Sequence, residues 1–243
     1  MRATKAHEVF RAPSDPNIKI WRYMDFTSFA GMLMHRGLFF SLLNNLDDRF
    51  EGSIPRQWTE PELSEGLQAQ GLPSDMVTSV REVIRKQRSW VMVNCWHMNE
   101  EESAAMWKLY ARNDRAIAVQ STYQRLRDSL DESVQIGTVT YISYDKDSIP
   151  FGNLFWPFVH KRKSFEHERE LRALTCDVAK VMAEGKPPDS GEWRSVDLDK
   201  LVEAIYIAPS AEPWFAELVK DISSKYAFRF HLNHSSLDLE PLY

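Results

Sequence analysis

Residues 18–41 read IKIWRYMDFTSFAGMLMHRGLFFS, and their pattern decides the fold class. Ile18 to Tyr23 has the β-branched and aromatic content of a short strand. Asp25 or Thr27 then stands where a side-chain oxygen can cap a helix, predicted over residues 29–36 with Phe29, Met32 and Leu33 on one face. Gly37 supplies a left-handed stop, and Leu38 to Ser41 is a second strand. Strand, helix and strand follow within one short stretch, and the helix is too short to shield a whole sheet face.

The same irregular alternation continues. Strands are predicted at Trp90–Trp96, Ala116–Gln120, Val134–Tyr144, Glu168–Thr175, Leu201–Ile207 and Ala227–Phe230, with helices after Asp75, over Glu100–Ala111, over Thr122–Leu130 and from Pro213 to Ser223. No repeated crossover unit appears, so the reading is an α+β fold with short helices on a mixed, largely antiparallel sheet system. Residues 1–243 are expected to form a single domain. Within it, residues 1–17 read as a lightly anchored arm, 53–74 as a surface excursion and Lys180–Glu192 as a loop.

Composition narrows the function classes. Thirty basic against thirty-five acidic residues give a formal charge of −5, which speaks against a surface that coats duplex nucleic acid and leaves room for a local basic cleft. No window holds the roughly 18 uninterrupted apolar residues of a spanning helix, and the start carries no apolar core of a secretion signal. Cys95 and Cys176 are far apart and sit beside apolar or aromatic neighbours, which predicts buried free thiols and a reducing, cytoplasmic setting without a membrane partner. Eight Trp, eight Tyr and thirteen Phe exceed ordinary core filling, so some rings are expected to line a pocket.

The sharpest local feature is Phe165-Glu166-His167-Glu168-Arg169-Glu170-Leu171-Arg172. Strand periodicity puts Glu168, Glu170 and Arg172 on one face, where three charges are costly to bury unless they pair or bind a ligand. Near the start, Trp21-Arg22-Tyr23 places a guanidinium fork, suited to phosphate or carboxylate, beside rings that can stack on a base. Asp47-Asp48-Arg49-Phe50-Glu51-Gly52 offers carboxylates near a turn, but without the alternating oxygen ligands of a calcium loop; it reads as a loop knitted by Asp caps and an ion pair with Arg49, and no metal is expected. Cys95-Trp96-His97 lacks zinc spacing and reads as structural. No GxSxG elbow, phosphate-binding loop or GxGxxG fingerprint occurs.

Arg22-Tyr23, Gly37-Leu38-Phe39-Phe40-Ser41, Asp48-Arg49-Phe50-Glu51-Gly52, Cys95-Trp96, Met106-Trp107-Lys108-Leu109-Tyr110 and Glu168-Arg169-Glu170-Leu171-Arg172 together resemble the bacterial family of unknown function numbered 2971. A more distant resemblance is to ADP-ribosyltransferases, whose split sheet binds NAD without a dinucleotide fingerprint. That resemblance implies a transferase or glycohydrolase with NAD as substrate, Arg22 at the early position, Ser41 as a loose match to the middle one, and Glu168 or Glu170 as the catalytic glutamate. Glu170 is slightly favoured, with Arg172 orienting it, while Tyr23, Trp96 and Trp107 would press on the nicotinamide. The acceptor would be water, a small molecule, protein or nucleic acid. Two other readings remain open: a non-catalytic domain that binds or senses a nucleotide or modified base, and a divalent-metal nuclease or phosphodiesterase using Asp47, Asp48, Glu51 and the late glutamates.

Overall fold

The computed structural model describes residues 7–71, 73–110, 115–183 and 185–241. Its elements begin β1 (Lys19–Asp25), α1 (Phe26–His35), β2 (Gly37–Leu42), α2 (Glu60–Ala69), α3 (Val77–Arg88), β3 (Met92–Met98), α4 (Ala104–Tyr110), β4 (Ala116–Thr122) and α5 (Tyr123–Ser129). They continue β5 (Gln135–Thr138), β6 (Thr140–Ile142), β7 (His160–Arg162), β8 (Glu170–Thr175), α6 (Val178–Met182) and β9 (Glu192–Ser195). The chain ends with α7 (Leu198–Leu201), β10 (Ala204–Ile207), α8 (Pro213–Lys225) and β11 (Leu232–His234). Among the described residues no helix is long and apolar enough to cross a membrane.

The chain divides into two compact units, each assembled from three stretches of sequence. The first comprises Met1–Ala12, Phe40–Asn94 and Ser133–Glu192; the second comprises Pro13–Phe39, Cys95–Glu132 and Trp193–Tyr243.

In the second unit the strand order is β11, β10, β4, β1, β3, antiparallel throughout except for the parallel β10–β11 pair. Asp25 caps α1 by accepting from Ser28 N, and Phe29, Met32 and Leu33 are the residues that the helix buries. Its left-handed terminus is Arg36 (φ 45°), not Gly37. Gly37 belongs to β2, where a Cβ would collide with the backbone of Arg194 in β9, so the glycine serves close approach. On β4, Ala116 and Ala118 leave room for large rings, and Trp21, Tyr23, Met106 and Trp107 pack there as one buried cluster. Burying each such side chain stabilises by about 1.5–3 kcal/mol. Leu201 ends α7 instead of opening a strand, and the last strand starts at Leu232 because Ala227 (φ 66°) turns the chain within 227–230.

In the first unit β5 runs antiparallel to β8 with Gly137 opposite Arg172, and β6 runs parallel to β7 with Tyr141 opposite Lys161. The stretch predicted as one strand over 134–144 is thus two, parted at Val139, whose N–H bonds Glu170 O at 2.9 Å. The strand predicted from Glu168 begins at Glu170: Glu168 ends a 3₁₀ turn, Lys163–Glu168, and Arg169 caps it in the left-handed region (φ 39°), which breaks strand periodicity there. Val9 and Phe10, in the stretch read as an arm, are buried, and Arg11 O accepts from Thr138 N. The stretch read as an excursion holds α2, with Leu63 and Leu67 buried, and Trp58 Nε1 bonds Ile149 O at 3.1 Å. The predicted loop 180–192 holds the end of α6 and the start of β9. Ala111, the end of the helix predicted over Glu100–Ala111, lies outside the described residues.

Candidate functional site

Five charged residues gather inside the first unit: Glu51, Lys161, Glu168, Glu170 and Arg172, none more than 8% exposed when backbone and side chain are taken together. Arg172 lies in mid-strand on β8 with its guanidinium fully buried. It forks onto Glu170, Nε to Oε1 at 2.6 Å and Nη2 to Oε2 at 3.0 Å, and Nη1 donates to Phe158 O at 2.8 Å. Nη2 also reaches Glu51 Oε1 at 3.2 Å. Glu51 Oε2 is 3.0 Å from Nη1 but off the line of its N–H, so that contact is charge attraction without a hydrogen bond.

Glu51 is delivered by local turn chemistry. Asp48 accepts from Phe50 N through its side chain and from Glu51 N through its carbonyl, and Gly52 takes φ 70° where a Cβ would strike Leu43 and Phe158. Asp48 pairs with Arg162, Nη2 to Oδ1 at 2.7 Å and Nε to Oδ2 at 3.2 Å, in place of the Arg49 pair expected from sequence.

Lys161 is the hub. Its Nζ lies 2.6 Å from Glu168, 3.0 Å from Glu51 and 3.4 Å from Glu170. Burial alone would depress the ammonium, but Glu170, Glu51 and Glu168 together hold it well above its ordinary range. For Glu168 the balance goes the other way. Burial, joined by the charges of Glu170 and Glu51, pushes its carboxyl above the ordinary carboxylate range against the pull of Lys161. With all ionised, two cations face three carboxylates, so the group carries one negative charge in excess. The peptide of Glu170 is clamped at both ends, its N–H donating to Tyr141 Oη at 2.8 Å and its carbonyl accepting from Val139 N.

Of the residues singled out from sequence, Glu168, Glu170, Arg172 and Ser41 belong to the first unit and Arg22, Tyr23, Trp96 and Trp107 to the second. The first three converge on Lys161 and Glu51. Ser41 donates to Leu42 O on β2. Arg22 is half-buried in the middle of β1 and donates to Cys95 O at 2.8 Å; burial lowers its pKa, and no carboxylate pairs with it among the described residues. Tyr23 and Trp107 meet edge to face at 5.0 Å in the core cluster, and Trp96 is 2% exposed, so these rings serve packing. Sequence reasoning missed Lys161 and Tyr141 and paired Glu51 with neither Lys161 nor Arg172; the signal available for Glu51 was its place in a capped turn before a left-handed glycine.

No family model, curated protein or solved structure matches the chain. Among the described residues no group of three or more His, Cys, Asp or Glu side chains is arranged to hold a metal ion. A cavity of about 250 Å³ in the first unit is lined chiefly by apolar groups, among them Val83, Leu154, Phe155, Val181 and Met182, and by none of the five charged residues. What the charged group presents is one carboxylate at its rim: the Glu168 side chain is 11% exposed, against 4% for Glu170 and 0% for Glu51.

Proposed function

We propose that the chain cleaves the nicotinamide–ribose bond of NAD, passing ADP-ribose to water or to an acceptor, with Glu168 as the carboxylate that stabilises the reacting sugar. The observation that carries this reading is the slight exposure of the Glu168 carboxylate, 11% against 4% for Glu170 and 0% for Glu51, in a buried group that has one negative charge in excess when all its members are ionised. Breaking the bond builds positive charge on the ribose, and a fixed carboxylate attracts that state more than the neutral ground-state sugar. Low exposure strengthens the attraction, because less water screens it. Glu170, forked by Arg172, acts as a positioning residue with Glu51: both fix Lys161, and Lys161 fixes Glu168.

Glu168→Gln keeps size and an acceptor for Lys161 but removes the charge. It should lower the turnover of NAD on the order of 100-fold or more while the melting temperature stays within a few degrees. Because the ionised form is needed and burial raises the pKa of Glu168, wild-type turnover should climb as pH rises through that raised value. Timed release of nicotinamide is the measurement. Equal release by wild type and variant refutes the assignment, and NAD binding without release by wild type turns the reading to a binding or sensor domain.

A further inference from the structure

Three arginines of the first unit stand together without a carboxylate. Arg88, the last residue of α3, is half-buried; its Nη2 donates to Arg49 O at 3.3 Å, and its Nε is buried without a bond. Arg49 is exposed and springs from that same carbonyl, while Arg85, also exposed, precedes Arg88 by three residues and so shares its side of the helix. Asp48, next to Arg49 in sequence, is taken by Arg162. Among the described residues Arg49 and Arg85 have no side-chain partner, and Asp47 and Glu82 pair with none of the three arginines. Cations in the last turn of a helix answer its C-terminal dipole, which accounts for Arg85 and Arg88. It does not account for Arg49, which a different element brings to them.

Beside Arg49 an aromatic ring is held open to solvent. Phe50 is 40% exposed, yet its backbone is fixed: the N–H donates to Asp48 Oδ1 at 3.0 Å, and the carbonyl accepts from Ser53 N at 2.9 Å and Ser53 Oγ at 2.7 Å. Tyr144 meets the ring edge to face at 5.4 Å, and the Arg162 guanidinium lies 4.5 Å from its centroid. A ring fixed in advance loses little freedom when a ligand packs on it.

We infer that this face binds single-stranded nucleic acid, with Arg49, Arg85 and Arg88 on its phosphates and Phe50 against an unstacked base. Guanidiniums attract any polyanion, so the ring decides among them. A duplex keeps its bases stacked and gives Phe50 nothing to pack on, whereas every base of a single strand has a face to offer. The net charge of −5 on the whole chain confines the attraction to this local patch.

Titration of a labelled single strand of about a dozen nucleotides, followed by fluorescence anisotropy and repeated with the matching duplex or phosphatidylserine vesicles as competitor, tests this. Wild type should prefer the single strand to the duplex about tenfold, the worth of one stacked base. With three phosphates neutralised, the logarithm of the binding constant should fall against that of salt concentration with a slope of about −2. Arg49→Ala and Arg85→Ala should each flatten the slope by about 0.7. Lys225→Ala, which removes an equal charge from an exposed pair with Asp221 in the second unit, should leave it unchanged. Phe50→Ala should weaken the single strand about fivefold or more and the duplex hardly at all, and Phe50→Trp, which restores a ring, should recover the loss. Ribose and deoxyribose strands share this chemistry, and binding of either upholds the inference. No binding of either, competition by duplex or vesicles equal to that of the single strand, or a slope untouched by Arg49→Ala overturns it. So does a Phe50→Ala that lowers the melting temperature and weakens single strand and duplex alike, the mark of a merely structural ring.

Discussion

Glu168 in the first unit and Glu102 in the second are both glutamates fixed by close polar contacts, and they are driven in opposite directions. Glu102 accepts from Ser235 Oγ at 2.5 Å, Ser236 N at 2.6 Å, Ser236 Oγ at 2.7 Å and Trp107 Nε1 at 2.9 Å. Burial works against its charge, but these four neutral donors outweigh it and hold the carboxyl below the ordinary range. Glu168 has a full cation 2.6 Å away and still rises, because it is more deeply buried and shares that cation with two other carboxylates. A cation in common is worth less to each partner than several donors of one's own. The consequence for stability has opposite sign in the two places. Glu102, depressed in the folded state, contributes stability above its unfolded pKa that is lost as pH falls through the folded value. Glu168, raised, contributes most below its unfolded pKa, and that contribution is lost as pH rises through the folded value.

The largest expected effect comes from removing the charge that makes the first unit's arrangement possible. Arg172→Met leaves Glu170 and Glu51 buried without their fork and should cost on the order of 3–5 kcal/mol in chemical denaturation, or prevent folding. A cost no greater than that of a surface substitution would break the claim that the group is a buried, mutually dependent set. Next comes the turn that brings Glu51 in. Gly52→Ala must hold φ 70° and put a Cβ within 2.8 Å of Leu43 and Phe158, so about 1–3 kcal/mol of destabilisation is expected. The smallest effect belongs to the second unit: Ser235→Ala removes one of four donors to Glu102 and should cost about 1 kcal/mol in the same assay. If Ser235→Ala matched Arg172→Met, the contrast between shared cations and separate donors would fall.

Much of the framework was legible in residues 18–41 and in the apolar strands, because alternation and ring content are local properties. The departures occur where a nearby contact overrules a local signal. Arg36 ends α1 in a conformation usually given to glycine, and Gly37 is needed one residue later for the approach of Arg194. β7 and β9 are only three and four residues of mostly polar sequence, too short for any periodicity to declare itself. The division into two units was not legible, since each is woven from three stretches with no linker between them. At the site, the clustering of Glu168, Glu170 and Arg172 could be anticipated from the cost of burying charge. Lys161 could not, because in His160-Lys161-Arg162-Lys163 it reads as one of several solvated cations, and only the β6–β7 pairing carries it inward.

The most direct test of the account is a ¹³C titration of the glutamate side-chain carboxyls, with Glu168 and Glu102 assigned by their Gln variants. The account predicts that Glu168 titrates above the 4.5 of an unperturbed glutamate and Glu102 below it. A Glu168 midpoint at or below that of Glu102 would contradict it, since the shared Lys161 would then be satisfying Glu168 in full and no poised carboxylate would remain at the rim.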